Sequence, residues 1–163
     1  MLQLIHHKLT IAAPRVGLTQ ALGLMPSSVA YVHLAPGAVP PALHAKPFRA
    51  IVIAEQSVAP DWQSQVSAWL VRAGCLYMMA WGTDCTLWDD SVDMANLEMF
   101  GFADIPDDQF VMTTWHENEP ISEMFWFAKN AAFHPTIELK QVLIVHIAQH
   151  PAKESLLRAY DEA

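Results

Sequence analysis

Residues 75–101 read CLYMMAWGTDCTLWDDSVDMANLEMFG, and this stretch joins the two patterns that decide the fold. The opening CLYMMAWG is a short, continuous apolar run, which is typical of a strand buried on both faces. The rest has apolar residues at helical spacing and a glycine, Gly101, where a helix would end. The face so formed consists of Trp88, Val92, Ala95 and Met99. The stretch therefore predicts a buried strand followed by an amphipathic helix.

The same alternation of apolar run and helical pattern recurs along the chain. Strands are predicted at 47–55, 75–82, 109–116 and 140–148, and helices at 59–74, 83–101, 120–133 and 151–163. Prolines 60, 120 and 151 stand where three of these helices begin. Such alternation predicts a mostly parallel sheet with helices on both faces, a three-layer α/β fold of the flavodoxin or Rossmann type.

The first 47 residues have a different character and hold six of the eleven prolines. They predict an irregular Pro-rich segment, with edge strands at 2–11 and 28–35 and a short helix at 17–25 between them. A length of 163 residues fits one domain. We therefore expect a single domain, 1–163, in which residues 1–47 pack on an alternating core formed by 48–163.

The compartment is predicted from three features of the sequence. No apolar run approaches the roughly 20 residues of a membrane-spanning helix, and no secretory signal pattern is visible at the start. Cys75 and Cys85 fall at opposite ends of one predicted strand, too far apart for a disulfide. We expect two reduced thiols and a cytoplasmic protein.

Charge is distributed unevenly, within a net charge of −8. Residues 73–128 contain no Lys or Arg and eleven acids, which are Asp84, Asp89, Asp90, Asp93, Glu98, Asp104, Asp107, Asp108, Glu117, Glu119 and Glu123. Helix-capping or helix-dipole roles account for Asp84, Glu119 and Glu123. The others form either a solvated acidic face or a surface for something positive. Direct nucleic-acid binding is disfavoured, because phosphate contacts require Lys and Arg.

Two acidic stretches, WGTDC and WHENE, follow predicted strands. In an open parallel sheet the loops after the strands gather at one edge, where ligands bind. If the two strands are neighbours, that edge is expected to carry Trp81, Asp84, Trp115, His116, Glu117 and Glu119, with Glu55 and Asp61 beside them. The tryptophans of the predicted helices, Trp62, Trp69, Trp88 and Trp126, are expected in the core, whereas Trp81 and Trp115 are expected to be half exposed.

The residues expected at this edge are compatible with three kinds of catalytic site. Asp84, His116 and Glu117, with Asp89, Asp90 and Glu119 nearby, are ligand types for Mg²⁺, Mn²⁺ or Zn²⁺, but their spacing matches no known signature. Cys85 near a helix start could be a nucleophile with His116 as its base, although the surrounding acids oppose thiolate formation. Glu55 and Glu117 could form a glycosidase-like pair, unless Glu55 caps the next helix. No glycine motif for phosphate is present, and no cofactor is predicted.

AGCLYMMAWGTDCTLWDD together with FVMTTWH resembles a family of small uncharacterised bacterial proteins, over roughly residues 47–150. That family has no established activity, so the resemblance implies no catalytic residue. It implies a bacterial cytoplasmic setting.

The favoured function is a non-catalytic acidic module that binds a basic protein, most plausibly an inhibitor or immunity-type protein that neutralises a nuclease-like toxin. The residues predicted to contact the partner are Trp81, Asp84, Trp88, Asp89, Asp90, Asp107, Asp108, Trp115, Glu117 and Glu119. The alternative is a small metal-assisted hydrolase at the carboxyl edge of the sheet, with Asp84, His116 and Glu117 as metal ligands or base. The sequence does not define the oligomeric state.

Overall fold

A computed structural model describes residues 22–23, 29–44 and 47–163 of the chain. The strands are β1 (Leu22–Gly23), β2 (Val29–Leu34), β3 (Leu43–His44), β4 (Phe48–Ala54), β5 (Cys75–Gly82), β6 (Met112–His116) and β7 (Gln141–Ile147). The helices are α1 (Pro60–Arg72), α2 (Cys85–Met99), α3 (Ile121–Asn130) and α4 (Lys153–Glu162).

Five of the strands form one sheet in the order β2-β7-β4-β5-β6, and every pair is parallel. β7 lies between β2 and β4, although it comes last along the chain among the described strands. β1 and β3 form a separate parallel pair of two residues each. The prediction of a mostly parallel sheet is therefore confirmed.

Helices cover both faces of the sheet because the strands are apolar on both. In β4, Ala50 and Val52 join the cluster beneath α1 and α2, whereas Ile51 and Ile53 join the cluster beneath α3 and α4. Successive side chains of a strand point to opposite faces, so one apolar run serves two cores. The three-layer α/β fold predicted from the sequence is confirmed.

The described residues of the N-terminal part include the edge strand predicted at 28–35. Residues 29–34 form an edge strand of the main sheet, as the pattern at 28–35 indicated, so residues 1–47 are not irregular throughout. Leu22–Gly23 form a strand where a helix over 17–25 was predicted, and the remainder of that helix and the strand at 2–11 lie outside the described residues. The Pro-rich stretch is held on α1 because the indole N–H groups of Trp62 and Trp69 donate to its backbone carbonyls at 2.8 Å each.

Two core predictions on helices were wrong. Trp126 is 53% exposed, because α3 buries the stripe formed by Met124, Phe125 and Ala128 and Trp126 lies beside it. Met99 is also exposed, since it is the last residue of α2 and extends past the core. Trp62 and Trp88 are buried and pack edge to face, with ring centroids 6.5 Å apart.

The described residues include no helix that is both long and apolar enough to cross a membrane. Cys75 and Cys85 are both buried free thiols, as the sequence predicted.

Candidate functional site at the carboxyl edge of the sheet

The connections that leave neighbouring strands diverge to opposite faces of the sheet. The loop after β5 leads to α2 on one face, and the loop after the adjacent β6 leads to α3 on the other. β4 and β7 repeat this arrangement, since they lead to α1 and α4. Diverging connections open a crevice outside the carboxyl ends of the strands, which is where ligands bind in open α/β sheets.

A groove of about 600 Å³ occupies this edge. Its lining residues are Ala54, Glu55, Trp81, Gly82, Thr83, Asp84, His116, Glu117, Asn118 and Glu119. WGTDC and WHENE meet here because β5 and β6 are paired in register, with Trp81 opposite His116. The groove has four carboxylates among its lining residues and no Lys or Arg, and we call it the acidic groove.

The WHENE loop folds back on the end of its own strand. Nδ1 of the buried His116 lies 3.0 Å from Oε2 of Glu119, and the indole N–H of Trp81 donates to the carbonyl of Glu119 at 2.8 Å. Asn118 has a left-handed backbone (φ 59°), which turns the loop sharply enough for these contacts. Trp81 and His116 therefore fix the loop that presents Glu117 to solvent.

The WGTDC loop lies directly against the end of β4. Gly82 has φ 95°, and a Cβ at this position would clash with the carbonyl group of Ala54. The same carbonyl accepts the backbone N–H of Thr83 at 2.8 Å. Only glycine permits this approach of two backbones, so Gly82 determines how closely the β4 and β5 loops meet at the floor of the groove.

Asp84 occupies the N-cap position of α2, as predicted, but its carboxylate does not cap the helix. Its backbone is left-handed (φ 54°), and its Oδ2 accepts the hydroxyl of Ser57 from the loop after β4. The capping role predicted for this side chain was therefore wrong. The carboxylate instead links the two loops that border the groove.

Glu55 connects the acidic groove to the interior of the sheet. Its Oε1 lies 2.7 Å from Nε2 of His146, which has no exposed surface. Nδ1 of His146 lies 2.9 Å from the hydroxyl of Tyr31, and that hydroxyl accepts the backbone N–H of Ala152 at 3.0 Å. Glu55 therefore does not cap α1, and His146 is a satisfied buried side chain, as its position in a strand indicated.

With an ionised Glu55 and a neutral imidazole, counting donors and acceptors gives one proton arrangement for this chain of contacts. Ionised Glu55 only accepts, so Nε2 of His146 donates to it. In the neutral imidazole Nδ1 then accepts, and the Tyr31 hydroxyl donates its one proton there while accepting from Ala152. Burial is the largest cause of a raised pKa for Tyr31, which keeps its hydroxyl protonated as this arrangement requires.

The structure brings only part of the predicted partner-binding set together. Trp81, Asp84, Glu117 and Glu119 line the acidic groove. Trp88 is 1% exposed within the core and Asp89 is 7% exposed, so neither side chain presents a surface to a partner, and this part of the prediction was wrong.

The remaining predicted residues lie apart from the acidic groove. Asp90 lines a separate cavity between α1 and α2, and Asp107 and Asp108 precede β6, at the opposite edge of the sheet. Trp115 is 52% exposed on the edge strand and does not line the groove.

The geometry of the site gives little support to the catalytic alternatives. Within the described part of the chain, no three His, Cys, Asp or Glu side chains are arranged to hold a metal ion. Cys85 is buried, and burial first, then the charge of Glu117, raise the pKa of its thiol, which opposes its use as a nucleophile. Burial also raises the pKa of Cys75 to about 12. Glu55 and Glu117 do line the same groove, as the paired-carboxylate prediction required.

Sequence reasoning missed Tyr31 and the pairing that brings it to His146. The available signal was the presence of His33 and His146 near the ends of two apolar runs. These two residues are register partners on β2 and β7, with ring centroids 5.9 Å apart. The pairing of β2 with β7 could not be predicted without the strand order, because the two strands are far apart along the chain.

Residues 29–163 match the family described as Domain of unknown function (DUF7684). The chain belongs to this family. The match begins at the first residue of β2 and includes every strand of the main sheet and all four described helices. The DUF7684 region is thus wider than the 47–150 over which the sequence resemblance was drawn. No curated protein and no solved structure matched the chain.

Proposed function

We propose that the protein is a non-catalytic binding module whose acidic groove receives cationic side chains of a basic protein partner. One observation carries the proposal. A groove of about 600 Å³ at the ligand-binding edge of the fold has four carboxylates among its lining residues and no cationic one. A Lys or Arg side chain is the protein group that complements such a groove in both charge and size.

Local structure does not account for all of these acids. Asp84, Glu55 and Glu119 each contact one neighbouring side chain, those of Ser57, His146 and His116. Their remaining carboxylate oxygens and Glu117 have no Lys or Arg beside them among the lining residues of the groove. The indole of Trp81 on the groove wall adds a surface over which a guanidinium group can stack. Arg72, Lys129 and Lys140 lie near the amino edge of the sheet, away from the groove. Lys153 begins α4 on the carboxyl side of the sheet but does not line the groove.

The finer form of the proposal is an inhibitor of the immunity type, which blocks the basic cleft of a nuclease-like toxin. The net charge of −8 favours fast, steered association with such a partner. An acidic surface can occupy a cleft that otherwise binds phosphates.

The test uses defined probes and the full chain. An arginine-rich peptide, its glutamate counterpart and a neutral peptide are titrated by fluorescence anisotropy at low and high salt. The double variant Glu117→Gln/Glu119→Gln is compared with Asp107→Asn/Asp108→Asn, which changes the net charge equally at the opposite edge of the sheet. We expect the groove variant to weaken arginine-peptide binding about tenfold and the control to leave it within about twofold. If the two variants weakened peptide binding equally, the affinity would depend only on the net charge of the protein. That result would refute a site specific to the groove.

The hydrolase alternative has a separate test. Its ligands Asp84, His116 and Glu117 all line the acidic groove, but Nδ1 of His116 already lies within hydrogen-bond distance of Glu119. A rise in melting temperature with Mg²⁺, Mn²⁺ or Zn²⁺ that His116→Ala removes would replace the binding proposal with a metal site.

A further inference from the structure

Exposed apolar side chains are concentrated in the same part of the chain as the acids. Among the described residues, ten large apolar side chains are exposed, and seven of them lie between residues 87 and 115. These seven are Leu87, Met94, Leu97, Met99, Phe102, Phe110 and Trp115. Every Asp, Glu, Lys or Arg in this interval is an acid. Large exposed apolar patches with a polar rim mark interaction sites.

Helix α2 has a second apolar stripe that points away from the core. Leu87 and Met94 are seven residues apart, and Leu97 follows three residues later, so all three fall on one side of the helix. Asp90 and Glu98 fall on the same side by the same spacing. The opposite side is buried through Trp88 and Val92. We call the outward stripe of Leu87, Asp90, Met94, Leu97 and Glu98 the α2 face.

A cavity of about 380 Å³ runs between the α2 face and α1. It is lined by Leu87, Asp90, Met94 and Glu98 from α2 and by Pro60, Gln63 and Ser64 from α1, among others. No Lys or Arg lines it. A hydrogen bond of 2.8 Å between the hydroxyls of Ser67 and Ser91 joins the two helices beside it. The two helices therefore form a groove whose lining combines apolar side chains with two carboxylates and no cationic side chain.

We propose that the α2 face binds a basic amphipathic helix of a partner protein. The apolar side chains of the partner enter between α1 and α2, and its Lys or Arg side chains reach Asp90 and Glu98. Apolar anchors at helical spacing are the pattern of helix-in-groove recognition. Methionine suits such a surface, because its flexible side chain adapts to the bound residues.

Charge and length identify this occupant over others. A second copy that paired through this same face would bring Asp90 and Glu98 against the same acids, and like charges oppose that pairing. A nucleic acid would meet carboxylates instead of cations. α2 has 15 residues and is therefore about 22 Å long, enough for three to four turns of a partner helix.

The α2 face and the acidic groove are separate sites, so one proposal can fail while the other holds. The probe is a labelled peptide of about 18 residues, made of Leu and Lys with Leu at helical spacing. Two companions are a scrambled peptide of the same composition, which has no apolar face, and a version with Glu in place of Lys. Binding of the full chain is followed by fluorescence anisotropy, and helix formation by circular dichroism.

The expected result is saturable binding of the Leu–Lys peptide with a gain of helix, and binding of both companion peptides weaker by about tenfold or more. Leu87→Gln/Met94→Gln should weaken the interaction about tenfold. Trp126→Gln/Phe133→Gln, which also removes two exposed apolar side chains, should leave it unchanged. Glu117→Gln/Glu119→Gln removes charge from the acidic groove, so it should weaken the Leu–Lys and scrambled peptides alike and keep the preference for the Leu–Lys peptide. All the substituted side chains are at least partly exposed, so the variants retain the fold, which circular dichroism verifies.

Equal binding of the scrambled peptide, or no effect of Leu87→Gln/Met94→Gln, would overturn the proposal, because the attraction would then be general electrostatics. Concentration-dependent dimerisation in sedimentation that the same variant abolishes would also overturn it, since a second copy would then cover the α2 face.

Discussion

Nε2 of His146 and Oε1 of Glu55 lie 2.7 Å apart, and this contact joins a fully buried imidazole to a carboxylate at the rim of the acidic groove. The imidazole is held from its other side by Tyr31, so its orientation is determined at both nitrogens. The direction in which Glu55 faces the groove therefore depends on a residue of the edge strand β2. The contact between Glu55 and His146 can be tested directly.

We predict that Glu55→Ala lowers the free energy of unfolding by about 1–3 kcal/mol, because it leaves a buried N–H group without its acceptor. Glu55→Gln should cost much less, since the amide oxygen can still accept that proton. Glu117→Ala is the control and should stay within about 0.5 kcal/mol, as an exposed loop carboxylate. Urea denaturation gives the energies. Nitrogen-15 NMR of His146 should show Nε2–H as its tautomer, and a proton on Nδ1 instead would refute the assigned arrangement.

The close approach at Gly82 gives a second prediction with an internal control. Gly82→Ala and Gly37→Ala both place alanine at a positive φ, 95° and 85°, which costs about 1–2 kcal/mol. Only at Gly82 does the new Cβ clash with the backbone of Ala54, whereas no atom lies within 4 Å at Gly37. We expect Gly82→Ala to cost about 2 kcal/mol more than Gly37→Ala in urea denaturation, or to prevent folding. Equal losses would show that the two loops separate without cost.

Asp89 is predicted to reduce stability at neutral pH. Burial is the largest cause that raises the pKa of its carboxyl above 3.8, and no described donor contacts its Oδ1. Between 3.8 and its folded pKa the native state binds more protons than the unfolded chain, so stability falls as pH rises through that window. Asp89→Asn should therefore raise the free energy of unfolding by about 1 kcal/mol at pH 7.

The gain from Asp89→Asn should vanish at about pH 3, where the carboxyl is protonated in both states. The loop variant Asp104→Asn removes the same charge from an exposed position and should have a negligible effect at either pH. A gain that persists at low pH would assign the effect to packing instead of ionisation.

Both thiols are predicted to be unreactive in the folded protein. Cys75 and Cys85 are buried, and burial raises the pKa of each, to about 12 for Cys75. Because the thiolate is the reacting form, Ellman's reagent at pH 8 should modify neither thiol until denaturant is added, after which both should react. Rapid modification of Cys85 in the native state would contradict this prediction and support Cys85 as a nucleophile.

The strands and helices after residue 47 were predictable because the spacing of apolar residues within each segment is typical of its type of secondary structure. CLYMMAWG is β5 residue for residue, and the run at 47–55 contains β4. The meeting of WGTDC and WHENE also followed, once the strands were assumed to be neighbours. These features depend on local pattern and on the general rule that loops of parallel strands gather at one edge.

The unpredicted features depend on contacts between distant parts of the chain. Asp84 was predicted to cap α2, but its carboxylate accepts a hydrogen bond from Ser57 instead. The cause is a left-handed backbone at Asp84, which could not be predicted from the sequence. Tyr31 reaches His146 only because β7 inserts beside β2. Trp88 and Asp89 were included in the predicted partner-contacting set, although the helical spacing that predicts Trp88 in the core also turns Asp89 inward.

The position of β7 between β2 and β4 also has a consequence for synthesis on the ribosome. β4, β5 and β6 can pair in the order in which they emerge, but Val29 of β2 pairs with Val142 and so waits for more than a hundred further residues. During that interval the nascent chain exposes an apolar strand without a neighbour, together with one side of β4. Completion of this sheet is therefore a late event in translation, and chaperone contacts with β2 and β4 should persist until β7 leaves the exit tunnel.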